Sequence, residues 1–150
     1  HLEELFSLFD GLRGAGETAM HEALHRLGER ARAGCMLMVF SDMLSADEEL
    51  LNFLRVLRSR RYEIIVFHVI DPAEMELPFE GLTLFEGLEG EDELLVDPDD
   101  LRQAYMDAMR GHLEMIQRQC EEGNLEYIRF QTSDPLEEVA LRFLRARSAR

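Results

Sequence analysis

The sequence contains no lysine: all 16 of its basic residues are arginine. Without lysine there is no Walker-type phosphate loop, no Schiff-base catalysis and no Ser-x-x-Lys acylase. Tryptophan is absent too, and there are only two cysteines. Cys35 and Cys120 sit in apolar or helical patterns and read as free, reduced thiols of a cytoplasmic protein. No apolar run is long enough to span a bilayer. Positive charge is scarce: 16 arginines face 31 acidic residues, a net charge of −15. Phosphate neutralisation needs an excess of cations, so this balance argues against generic binding to DNA, RNA or anionic membranes. No signal peptide is visible, and the chain starts at histidine, so we expect a fragment boundary there.

What remains is 150 residues, enough for one domain with a real core. Leu2, Leu5, Phe6, Leu8, Phe9 and Leu12 form a helical stripe that ends at Gly14-Ala15-Gly16. Thr18 reads as the N-cap of a second helix, whose stripe is Met20, Leu24, Leu27 and Ala31. Residues 35–40 are apolar without alternation, the pattern of a strand covered on both faces. Ser45 and Glu48 form a capping box for a helix over 46–60. A second apolar strand runs over 63–70, and Asp71 before Pro72 reads as a turn or cap. Residues 82–85 and 94–96 predict a small β-hairpin. Asp97 and Pro98 start a long helix that Gly123-Asn124 ends. Residues 125–131 alternate, as an edge strand does. Asp134, with Glu137, reads as the N-cap of a last helix that buries Leu136, Val139, Ala140, Phe143 and Leu144.

Strands alternating with helices predict a doubly wound α/β layer. Two strands read as interior, yet three strands in a row leave one interior place. The strand over 35–40 therefore asks for a neighbour.

Open α/β sheets bind ligands at the carboxyl ends of their strands. Asp42, Asp71 and Asp134 fall there, and their oxygens suit magnesium or calcium. Cap or turn roles account for Asp71 and Asp134; Asp42 has no obvious helical job. His21-Glu22-Ala23-Leu24-His25 matches the zincin H-E-x-x-H. Both histidines, however, fall on the polar side of their helix, and no third histidine ligand follows before His68. Gly14-Ala15-Gly16 follows a helix instead of a strand, so it reads as a helix–helix turn. His68, inside an apolar strand, reads as a satisfied core histidine.

Phe67-His68-Val69-Ile70-Asp71-Pro72-Ala73-Glu74 and Leu77-Pro78-Phe79-Glu80-Gly81 carry a resemblance. So do Gly16-Glu17-Thr18, Val39-Phe40-Ser41-Asp42, Leu95-Val96-Asp97-Pro98 and Asp134-Pro135-Leu136-Glu137. Across nearly its whole length the chain resembles the C-terminal half of the bacterial domain-of-unknown-function family 58. The resemblance implies a Rossmann-like, von Willebrand factor A-like parallel sheet flanked by helices. Here it lacks the first strands and gains a small β-hairpin insertion. It also implies a metal-ion-dependent adhesion site, in which Thr18 and Asp42 match two of three parts. The third, Asp-x-Ser-x-Ser, does not occur in this sequence; in the family it precedes the threonine. Two side chains, one a weak hydroxyl ligand, hold magnesium poorly.

The expectation is thus a single, truncated von Willebrand factor A-like domain over 1–150. The resemblance implies a non-enzymatic partner or adaptor of a MoxR-type AAA+ ATPase in chaperone-like assembly. Magnesium or another divalent cation belongs to the intact protein, with none bound by this fragment. The fragment is expected in the cytoplasm, with a membrane anchor in an upstream segment of the full-length protein. Self-association through the exposed half of the sheet follows from the missing neighbour. The alternatives are a zinc-dependent hydrolase using His21, Glu22 and His25, and a structural module whose metal site has decayed.

Overall fold

A computed structural model describes residues 2–11, 23, 26–27, 34–44, 48–87 and 93–148. The elements are α1 (Leu2–Gly11), β1 (Met36–Ser41), α2 (Glu48–Ser59), β2 (Glu63–Ile70) and α3 (Pro72–Glu76). There follow β3 (Thr83–Phe85), β4 (Leu94–Val96), α4 (Pro98–Glu122), β5 (Glu126–Gln131) and α5 (Leu136–Ser148). Ala23, Arg26 and Leu27, the described positions of the expected second helix, are helical. Ser45 of the expected capping box lies outside the described residues.

β1, β2 and β5 form one parallel sheet in the order β1-β2-β5, so the architecture is mixed α/β with helices against the sheet. β3 and β4 form the expected antiparallel hairpin. β2 has the central place, which explains its continuous apolar run: five consecutive positions, Ile64 to His68, are buried.

Alternation along the strands sorts side chains onto two faces. Leu37 and Val39 of β1, Ile64 and Val66 of β2 and Tyr127 of β5 share one face. There they pack with Leu50, Leu51, Leu54 and Leu57 of α2 and with Ile116 and Cys120 of α4. Each fully buried leucine contributes about 1.5–3 kcal/mol relative to an exposed one, so this is the main core. Ile65, Phe67 and Ile128 share the other face, with Phe130 and with Phe143 of α5. That second cluster is smaller, and it leaves much of α5 uncovered. Val139 is buried, but Leu136 is 74% and Leu144 55% exposed, and Ala140 is exposed as well. The expected burial of those three residues is corrected here: an amphipathic stripe buries only as much as the sheet beneath it can cover.

β1 meets one expectation and departs from another: among the described residues it lacks a second neighbour, as expected, but it is not covered on both faces. Among the described residues it pairs only with β2, so it is an edge. Its second face carries Met36, Met38 and Phe40, which are 41%, 42% and 60% exposed. An apolar run therefore marks side chains that want cover on both faces, whether or not the described residues supply it.

Helix ends follow the sequence closely. Asp97 accepts the Asp99 N–H (3.2 Å) and Pro98 takes the first turn of α4. At the other end, the left-handed residue is Asn124 (φ 56°), not Gly123. Gly123 serves a close approach: a Cβ there would lie 2.8 Å from Arg55 Cγ. Arg55 in turn donates to the Gln119 carbonyl (3.0 Å) and to Gln119 Oε1 (3.1 Å), tying α2 to the end of α4.

Candidate functional site

The carboxyl ends of the three strands gather the chemistry-bearing side chains. Beyond β1 the chain turns at once. The Met43 N–H donates to Ser41 Oγ (3.0 Å) and the Leu44 N–H to Asp42 Oδ1 (3.1 Å). Met43 adopts a left-handed backbone (φ 57°) and sends its side chain fully into the main core. Non-glycine residues pay for that conformation, and the buried methionine offsets the cost. Asp42 itself remains exposed.

Two histidines hold this turn from below. His112 of α4 lies 3.1 Å, through Nε2, from the Met43 carbonyl oxygen, which accepts its proton. His68 of β2 is 1% exposed, hydrogen-bonds the Asp42 backbone carbonyl, and has Nδ1 2.8 Å from the Tyr127 hydroxyl. A neutral ring satisfies both partners: it donates to the carbonyl and accepts the phenol proton. Burial lowers the His68 pKa, and the charges of His112 and Arg129 reinforce this against the Asp42 backbone bond. Burial likewise pushes the Tyr127 hydroxyl up to about 12. The expected satisfied core histidine is what the structure contains.

Asp71, beyond β2, caps α3: its Oδ1 accepts the Ala73 N–H (2.9 Å). Its Oδ2 accepts the Thr132 hydroxyl (2.9 Å) from the end of β5. These two bonds, the backbone one first, hold its pKa below the usual carboxylate value. Glu74 is half-buried on α3. Burial raises its pKa, and Asp42 and Asp71 add like charge. No arginine pairs with Asp42, Asp71 or Glu74 among the described residues.

Asp134 is a correction. α5 starts at Leu136, and the Asp134 carboxylate turns back towards the sheet instead of capping that helix. Its Oδ2 accepts the Gln131 N–H (3.1 Å) and an Arg142 N–H (2.8 Å). Arg142 also reaches the Arg129 carbonyl at 3.4 Å. Thr132 N–H donates to Ile70 O, so even-numbered residues of β5 face β2 and odd-numbered ones face outward. The Arg129 carbonyl and the Gln131 N–H are therefore edge groups, and the Asp134–Arg142 pair covers both.

At β1 the same accounting ends differently. Glu63 N–H donates to Cys35 O, so odd-numbered residues face β2 and Met36, Met38 and Phe40 face outward. Among the described residues nothing covers their backbone groups.

As to the metal site, Thr18 lies outside the described residues, as do His21, Glu22 and His25. Asp42 has one oxygen committed to the Leu44 N–H. Among the described residues no three His, Cys, Asp or Glu side chains converge on a metal position. Magnesium takes about six oxygen ligands, so these residues do not fit a cation by themselves. Neither His68 nor His112 touches a serine, threonine or cysteine side chain among the described residues. Both cysteines are free, and burial pushes the Cys120 thiol up to about 11. What the arrangement offers is a carboxylate surface, held rigid from below, that attracts positive charge.

The family described as "Protein of unknown function DUF58" matches residues 5–115. The chain belongs to this family. The match runs from α1 into α4 and stops short of β5 and α5. No curated protein and no solved structure matches the chain. Among the described residues of this DUF58 chain, no helix is long and apolar enough to cross a membrane. Sequence reasoning named Asp42 and Asp71 but missed Glu74, Tyr127 and the contact of His112 with Met43. One signal was present: His112 lies in the apolar stripe of its helix, where a polar side chain needs a partner.

Proposed function

We propose that the chain is a non-enzymatic protein–protein interaction module, part of a von Willebrand factor A-like domain. Its partner in this reading is a MoxR-type AAA+ ATPase, which it serves as an adaptor in chaperone-like assembly. The choice of ATPase rests on the family resemblance alone. Binding is supported by one observation above all: among the described residues, nothing covers the backbone groups on the outer edge of β1 beside Met36, Met38 and Phe40. Such an edge is a template for strand pairing with another chain. The carboxylates of Asp42, beyond β1, and of Asp71 and Glu74, beyond β2, favour a cationic group on the partner. We place the module in the cytoplasm, where Cys35 and Cys120 stay reduced.

Without a partner, a second copy takes the edge. Sedimentation at micromolar concentration then shows dimers or larger species, and Phe40→Asp, checked for folding by circular dichroism, returns the monomer. A wild-type protein that sediments as a clean monomer contradicts the reading. For the ATPase, co-precipitation by the wild-type chain and its loss in Phe40→Asp are expected; equal capture by both contradicts it.

A second reading, a structural module whose cation site has decayed, has one observation in its favour: Asp42 Oδ1 already serves the Leu44 N–H. Magnesium titration of the full-length protein separates the two. A response that Asp42→Ala abolishes supports a working site, and no difference between the proteins supports decay.

A further inference from the structure

Between the β3–β4 hairpin and the first turns of α4 lies a groove of about 500 Å³. Leu77, Phe85, Leu94 and Val96 line one side, and Leu101 and Tyr105 the other. Among the described lining residues, only Tyr105 carries a polar side-chain atom. Leu94 and Leu101 are 56% and 46% exposed, so the groove is open. It is also preformed. Phe85 packs edge-on against Phe79, with ring centroids 5.4 Å apart. Arg102 donates to the carbonyls of Glu76, Leu77 and Phe79 and to the Asp99 carboxylate, fixing the segment after α3 to α4.

The charge around the groove is of one sign. The described residues within 71–101 include nine acidic side chains and no arginine or histidine. Glu76, Glu86, Glu93 and Asp100 are exposed, each next in sequence to a lining residue. The first cation beyond them, Arg102, is already engaged with backbone carbonyls and Asp99. An apolar groove beside an acidic rim that no described cation pairs selects its occupant by complementarity.

We propose that this groove docks a basic amphipathic helix of a partner protein. Apolar side chains at i, i+3 or i+4, and i+7 fill the groove, and arginines or lysines on the flanks meet the acidic rim. One side of the groove is the surface of α4, which offers ridges for a second helix. The hairpin strands have only three residues each, too short for strand addition. A second copy placed groove to groove would set its own Glu76, Glu86, Glu93 and Asp100 against those of the first, and an anionic lipid surface brings negative charge as well. The proposal concerns a surface separate from β1 and Asp42 and does not depend on the reading given for them.

The test is a fluorescence titration of the whole chain against a synthetic helical peptide of leucine and arginine. Saturable binding is expected, weakening about tenfold or more from low to high salt. Leu94→Ser with Leu101→Ser weakens it by about tenfold or more, since anchors dominate such interfaces. A peptide of the same composition with scrambled leucine spacing binds poorly. Nuclear magnetic resonance of the wild-type protein gives a readout that needs no variant: peptide shifts the signals of Leu77, Val96, Leu101 and Tyr105. Asp42→Ala and Phe40→Asp bind the peptide as the wild type does, which separates this groove from the β1 edge. Equal binding of the scrambled peptide overturns the proposal, as do peptide-induced shifts confined to other residues. Tighter binding to phosphatidylserine vesicles than to the peptide overturns it, and so does self-association that the Leu94→Ser, Leu101→Ser variant abolishes.

Discussion

β5 and β1 each leave a row of N–H and C=O groups on their outer side, yet among the described residues only β5 has side chains placed on that row. At β5 the Asp134–Arg142 pair reaches the Gln131 N–H and the Arg129 carbonyl. Its outward backbone groups are thereby partly satisfied, and a charged plug discourages another strand. At β1, no described residue covers the backbone beside Met36, Met38 and Phe40, and no described charge interrupts them. A chain that protects one edge and leaves the other apolar has an edge prepared for solvent and an edge prepared for a neighbour. The central strand joins them: His68 bonds Tyr127 of β5 on one side and the Asp42 carbonyl beyond β1 on the other.

The largest expected effect lies beneath both edges. Leu54→Ala removes a fully buried side chain from the main core and costs about 3 kcal/mol by urea denaturation. It weakens both edges alike, so a variant that unfolds only one of them breaks the comparison. Next comes His68→Phe, which leaves the Tyr127 hydroxyl and the Asp42 carbonyl unpaired, at a cost of about 2 kcal/mol. The wild-type His68 also makes stability depend on pH. Its folded pKa lies below 6.5, so its contribution is complete above pH 6.5. It is lost as the pH falls from there through the folded value. Denaturation at a series of pH values should show that slope reduced in His68→Phe.

Gly123→Ala forces Arg55 off the end of α4 and costs about 1 kcal/mol. Thermal melts of this variant set the scale for a local packing defect that leaves association unchanged. The smallest effect on stability, and the sharpest on the comparison, belongs to the double variant Asp134→Ala, Arg142→Ala. An exposed pair contributes little to folding. Removing it opens β5, so sedimentation should show larger assemblies than the wild type forms. Unchanged sedimentation means that the plug does not protect that edge.

Much of this was legible in the residues. The strand spans, the hairpin and the start of α4 follow from local chemistry: unbroken apolar runs, Asp97 before Pro98, and the Gly123-Asn124 stop. α3 went unseen because the five residues after Asp71 show no period. The fate of α5 was hidden because a stripe records what a helix would bury, and the sheet beside it is narrow. Asp134 misled for a related reason: an aspartate two residues before a helix can cap it or turn back, and Arg142, eight residues on, decides. The site was the least visible part. His68 and Tyr127 are separated by 59 positions, and nothing in either segment announces the other.

The central claim is that β1 is the edge a second chain occupies. Hydrogen exchange measured across a dilution series tests it most directly. The account predicts that the Met38 and Phe40 amides are protected at high protein concentration and exchange freely on dilution, while the Gln131 amide, held by Asp134, is protected throughout. If the Met38 and Phe40 amides exchange at the same rate at every concentration, β1 takes no second chain and the account is wrong.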